Sequence, residues 1–138
     1  MGHSVLIVDD DPGIRRILGQ VLESEGYSTV EAENGAQAVR RLVEMKPSVI
    51  VLDVEMPVMD GHDFREVQKR IAPDVPIVCI SGSAHPEWSA RRVGAVRCHA
   101  KPLDFERLCG TVAELCEPAD HAGDRQEQEA ATVTTKAG

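Results

Sequence analysis

Three stretches of four apolar residues, each halted by a polar one, constrain this chain more than anything else in it. Val5-Leu6-Ile7-Val8 runs into Asp9-Asp10-Asp11, Val49-Ile50-Val51-Leu52 into Asp53, and Ile77-Val78-Cys79-Ile80 into Ser81-Gly82. A strand with one wet face alternates apolar and polar residues. A continuous run belongs to a strand covered on both faces, as in a parallel sheet.

Helical patterns fill the gaps. After Asp11, placed to cap, and Pro12, suited to a first turn, Ile14, Ile17, Leu18, Val21 and Leu22 recur at helical spacing up to Gly26. Residues 27–32 read as a short strand. Asn34-Gly35 opens a second helix with Ala36, Val39, Leu42 and Val43 on one face, ended by Lys46-Pro47. A loop with Pro57 and Gly61 leads to a third helix marked by Phe64, Val67 and Ile71. A short helix over 87–93 stops at Gly94. The weakest strand, 96–100, is interrupted by Arg97 and His99. A last helix from near Asp104 carries Phe105, Leu108, Cys109, Val112, Leu115 and Cys116. Five strands alternating with five helices predict an α/β fold, a parallel sheet with helices on both faces.

Composition narrows the function. A length of 138 residues with 42% hydrophobic content suits one domain with a core. No apolar run reaches the ~20 residues that span a bilayer, and the N-terminus lacks a signal-peptide pattern, so a cytoplasmic protein without a membrane partner is expected. The net charge of -8 would repel a nucleic acid, so no direct nucleic-acid partner is expected. Cys79, Cys98, Cys109 and Cys116 form no CxxC pair and read as small hydrophobes. Beyond residue 116 the apolar periodicity stops, as in a disordered tail or linker stub.

In a parallel sheet, ligands bind beyond the carboxyl ends of the strands. The residues there are Asp9, Asp10, Asp53, Ser81 and Lys101. Crowded carboxylates in a crevice repel, and a hard divalent cation such as Mg²⁺ removes that cost. Asp10 and Asp53 are candidate ligands, with Asp9 direct or through water and the backbone carbonyl of Glu55 completing the set. Asp53, at the end of a rigid strand, is the best-placed nucleophile toward phosphorus. Lys101 offers a point charge and Ser81 a hydroxyl donor for phosphoryl oxygens. Asp11 reads as a helix cap and not as a ligand.

The segments 5–12, 51–61, Ser81-Gly82, Gly94-Ala95 and Lys101-Pro102 together resemble the CheY-like receiver domain of two-component response regulators, over about residues 4 to 116. That resemblance implies a flavodoxin-like doubly wound sheet of order 2-1-3-4-5, a receiver over residues 1–117 and a tail over 118–138. It implies phosphotransfer to Asp53 from a histidine kinase or histidine phosphotransfer protein. It also implies Mg²⁺ on Asp9, Asp10, Asp53 and the Glu55 carbonyl, with Ser81 as the switch hydroxyl, Lys101 on the phosphoryl group, and a cis Lys101-Pro102 bond. Such a chain is not a classical enzyme, since it works on its own aspartate, and it acts through an unknown downstream protein. A homodimer is left open.

The chain departs from the family at Cys98, where an aromatic normally rotates on activation, and its fourth helix is short. Trp88 on that helix suits either a partner anchor or packing at the sheet edge. Two other readings compete: a pseudo-receiver that binds without phosphorylation, and a metal-dependent phosphohydrolase, for which Glu55 has the spacing of a second acid but no segment is long enough for a cap.

Overall fold

The computed structural model describes residues 2–55 and 61–116. The loop expected around Pro57 and the tail expected over 118–138 lie outside them. Five strands alternate with five helices: β1 Ser4–Val8, α1 Pro12–Ser24, β2 Ser28–Ala32, α2 Gly35–Glu44, β3 Val49–Asp53, α3 Gly61–Ile71, β4 Ile77–Ser81, α4 Pro86–Val93, β5 Arg97–Ala100 and α5 Phe105–Cys116. Every pairing is parallel, in the order β2-β1-β3-β4-β5. The expected fold class and strand order are those observed.

The continuous apolar runs face both ways. On one side of the sheet Leu6, Val8, Ile50, Leu52 and Cys79 pack with Ala38 and Leu42 of α2, Phe64 of α3 and Val93 of α4. On the other, Val5, Ile7, Val51, Val78 and Ile80 pack with Leu18 and Leu22 of α1 and Leu108, Val112 and Cys116 of α5. Each buried Val, Leu, Ile or Phe among them contributes about 1.5–3 kcal/mol. The three runs therefore form a two-sided core, and the polar residues that end them are carried to one edge.

Local chemistry sets the helix starts. Asp11 Oδ1 accepts the N–H groups of Gly13 at 2.8 Å and Ile14 at 3.3 Å, so Asp11 is the cap its spacing suggested. Asn34 caps α2 by accepting Gln37 N–H at 2.8 Å, and Gln37 Oε1 accepts Glu33 N–H at 3.0 Å in return. Gly94 ends α4 with φ 67°, a left-handed conformation that favours glycine. A Cβ there would also collide with the Arg65 guanidinium.

Three expectations need correction. Of the face expected on α2, Leu42 is buried and Val39 packs against the core, but Val43 is 69% exposed and Ala36 is exposed, and Gly35 and Ala38 are buried in their place. Ile17 of α1 is exposed, at the rim of the site described below. Ile71 is exposed, and its place beneath α3 is taken by Gln68, a polar residue with no exposure. The Gln68 amide donates to the carbonyls of Ala72 at 2.6 Å and Val75 at 3.1 Å, and its Oε1 accepts from Arg65 at 2.6 Å. It thereby holds the turn from α3 into β4. A fully bonded buried amide is tolerated, whereas its removal strands its partners. Gln68→Leu is expected to lower the unfolding free energy by ~1–3 kcal/mol in a denaturant titration. An unchanged midpoint would show that the turn holds without it.

Candidate functional site

The carboxyl edge of the sheet gathers the polar residues that end β1, β3, β4 and β5. Asp9, Asp10 and Asp53 each present a carboxylate oxygen, all within 4.8 Å of one another. Lys101 Nζ stands 3.4 Å from Asp53 Oδ2 and 3.8 Å from Glu55 Oε1. Asp9 and Asp53 are 1% and 2% exposed, while Asp10 lies on the open side. A cavity of about 600 Å³ opens over them, with Ile14, Ile17 and Phe105 on its walls. The sequence-derived residues Asp9, Asp10, Asp53, Glu55 and Lys101 thus share one cavity, and Ser81 adjoins it through Glu55.

Burial makes the crowding costly. Burial above all, with the Asp53 charge beside it, raises the Asp9 carboxyl to about 6 from its ordinary 3.8, against the hydrogen bond from Asp11 N–H. Burial likewise raises Asp53, although Glu55 N–H at 3.0 Å and the Lys101 ammonium oppose the rise. At Lys101 the loss of solvent favours the neutral amine, yet the Asp53, Asp9 and Glu55 carboxylates outweigh it and hold the ammonium above its usual value. Asp9 Oδ1 accepts from Asp11 N–H at 2.9 Å, but its buried Oδ2 has no hydrogen-bond donor. A buried acceptor without a donor beside two further carboxylates is the environment a hard divalent cation satisfies. The donor set fits such an ion.

Two side chains that the sequence did not single out, and a third in an unexpected role, shape the site. Arg15 donates to the Asp9 carbonyl at 2.7 Å and pairs with Glu31 at 3.1 Å, fixing the turn after β1. Ser89 of α4 lies 3.1 Å from the Ser81 hydroxyl, linking the end of β4 to that helix. The Glu55 carboxylate, weighed from sequence only as the second acid of a phosphohydrolase, accepts Gly82 N–H at 3.2 Å and the Ser81 hydroxyl at 3.4 Å. It therefore rests on donors suited to an anion. Its position two residues after Asp53 was the available signal. Arg15 and Ser89 carry none in local spacing, because their partners are brought by the fold.

The Lys101-Pro102 peptide bond is cis, as the resemblance implied. The response regulator receiver domain family matches residues 5–113. The chain belongs to that family. Among relatives of this receiver, the transcriptional regulatory protein GlrR of Escherichia coli K12 is 36% identical over 129 residues, 91% of this chain and 29% of GlrR. Sporulation initiation phosphotransferase F of Bacillus subtilis is 33% identical over 110 residues, covering 78% of this chain and 89% of that protein. The receiver thus spans less than a third of GlrR and most of the phosphotransferase. A response regulator from Thermotoga maritima, solved in complex with Mg²⁺-BeF, superposes with a TM-score of 0.73 at 29% identity, covering 83% of this chain and 99% of its own.

Asp9 gives the receiver a distinctive response to pH. The folded state keeps a proton on Asp9 that the unfolded chain has released between pH 3.8 and about 6. Stability from this group is thus present below that window and lost as pH rises through it. His99, lowered mainly by burial and then by Arg107, pushes the other way, so the comparison with a variant is the clean readout. Without divalent cations, the thermal midpoint of Asp9→Asn is expected to gain on that of the wild type as pH rises through the window. Millimolar Mg²⁺ is expected to close the gap. Parallel pH profiles with and without Mg²⁺ would refute the crowding of Asp9.

Proposed function

We propose that this receiver accepts a phosphoryl group on Asp53, with Mg²⁺ held by Asp9, Asp10, Asp53 and the backbone carbonyl of Glu55. The observation that carries this is a buried carboxylate at a strand end, beside a lysine ammonium and inside a three-carboxylate cluster. An Asp53 oxygen attacks phosphorus, the donor's P–N bond breaks, and an acyl phosphate forms. The cation would supply charge neutralisation on the phosphoryl oxygens. Lys101 adds a point charge on the same side, and Ser81 and Gly82 N–H offer donors to an oxygen once Glu55 withdraws. The rigid end of β3 keeps Asp53 in place.

A phosphohistidine of a histidine kinase or phosphotransfer protein is the proposed donor, and an unidentified downstream protein the proposed reader of the phosphorylated state. The chain is then a switch acting on its own residue and not an enzyme with external turnover. Its link from Ser81 to Ser89 offers a route from the site to α4. When Ser81 turns toward a phosphoryl oxygen, that link changes, and the populations of two arrangements shift.

Incubation with a small acyl phosphate and Mg²⁺ is expected to add one phosphoryl mass, and Asp53→Asn to abolish the gain. A gain that persists in Asp53→Asn would place the acceptor elsewhere. Because the Glu55 carboxylate occupies the phosphoryl group's donors, Glu55→Gln is expected to bind beryllofluoride roughly 3- to 10-fold more tightly, as a partly exposed charge interaction of ~1 kcal/mol allows. Fluorescence or calorimetric titration measures this. Weaker binding in Glu55→Gln would show that the carboxylate assists and does not compete.

A further inference from the structure

Cys79 and Cys98 are direct partners in the parallel ladder between β4 and β5. Adjacent strands run ~4.8 Å apart. A disulfide tolerates Cα separations of about 4.4–6.8 Å, and this strand spacing falls within that range. Both side chains belong to the same apolar cluster on the α4 side of the sheet. Cys79 is fully buried, whereas Cys98 is partly exposed on an edge strand that pairs on one side only. Cys98 also lines a groove of about 550 Å³ of mixed charge, with Arg97, Lys101, Asp104 and Arg107 around it. Partial exposure is what lets an oxidant reach a thiol, whereas a fully buried one is shielded. The sequence reading takes both cysteines as small hydrophobes, with redox sensing at Cys98 the lesser alternative, and does not anticipate this pairing, since they stand far apart in the chain.

The other two cysteines provide an internal contrast. Cys109 and Cys116 sit two turns apart on α5, about 10.5 Å by helical rise, beyond disulfide reach.

We propose that Cys98 and Cys79 form a reversible cross-strand disulfide, with a hydroperoxide as the oxidant. The Cys98 thiolate attacks the terminal peroxide oxygen; the O–O bond breaks, leaving a sulfenic acid on Cys98 and releasing the alcohol, or water from hydrogen peroxide. The Cys79 sulfur then attacks the Cys98 sulfur. The S–O bond breaks, and the departing hydroxide leaves as water with the Cys79 proton. Two thiols and one hydroperoxide give one disulfide, one alcohol and one water, and a dithiol reductant reverses the reaction.

The roles of the two thiols follow from their surroundings. The Cys98 thiol is lowered chiefly by a hydrogen bond from Cys79, against burial and the charges of Glu55 and Glu87. The Cys79 thiol is raised by that same bond and by burial, so it stays protonated until Cys98 has reacted. The bond would lie two residues before Ser81 and three before Lys101, tying together the strands that deliver both to the phosphoryl site. It requires nothing of Asp53, so it stands or falls apart from the phosphorylation proposal.

The test is mass spectrometry of the full chain after brief treatment with hydrogen peroxide under native conditions. The expected result is loss of two hydrogens, a proteolytic product linking the peptides of Cys79 and Cys98, and full reversal by dithiothreitol. Asp53→Asn is expected to behave identically. Cys79→Ser is expected to stop at a sulfenic acid on Cys98 that a dimedone probe captures, and Cys98→Ser to leave Cys79 unmodified. Circular dichroism verifies that both variants remain folded, and the wild-type linkage decides the matter if either does not. A persistent sulfenic acid in the wild type, a linkage between two chains, or oxidation confined to Cys109 would overturn the proposal.

Discussion

The structure turns on two carboxylates held together out of water. Asp9 and Asp53 are almost fully buried within one cluster, and burial raises both toward the protonated form. Lys101 offsets part of that cost from 3.4 Å away, but it reaches Asp53 and leaves Asp9 Oδ2 without a donor. A protein that keeps such an arrangement sacrifices stability for chemistry. A cluster so poorly satisfied is the environment that a divalent cation would relieve, which is the ground for the Mg²⁺ and phosphoryl sites proposed above.

The rest of the architecture makes that strain tolerable. A core filled on both faces of the sheet fixes the strand ends, so the acids cannot drift apart to relieve their repulsion. Arg15 grips the carbonyl of Asp9, and Asp11 closes the same turn by capping α1. Around the edge, anionic and hydroxyl groups exchange partners over short distances. Glu55 holds the Gly82 amide and the Ser81 hydroxyl, while Ser81 is also within reach of Ser89. A hydroxyl has a single proton to donate, so Ser81 cannot serve both Glu55 and Ser89 as donor. That choice connects the state of the site to α4.

α4 and β5 are where this chain departs from the pattern that the resemblance implied. α4 has eight residues, and Trp88 on it is 58% exposed, stacked on His85 with ring centroids 4.2 Å apart. It does not pack at the sheet edge. Where the family places an aromatic, Cys98 lies opposite Cys79 on the neighbouring strand. A small polarizable thiol there exchanges a ring that rotates for a group that can be chemically altered.

Sequence alone determined the sheet and the identity of the acids. Continuous apolar runs admit few folds besides a doubly covered parallel sheet, and each run ended in a residue that stands at or beside the candidate site. It determined the caps Asp11 and Asn34 as well, because capping is local chemistry between neighbours a few residues apart. Only the tertiary structure decided which face of each helix turned inward. Val43 and Ile71 satisfied a helical period yet emerged exposed, while Gln68 went inside because the carbonyls of Ala72 and Val75 were there to receive it. The partners of Glu55, Arg15, Ser89 and Cys98 likewise come from other strands and helices. Periodicity records how often a side chain faces the same way, but not what stands opposite it, and only the assembled sheet brings those groups together.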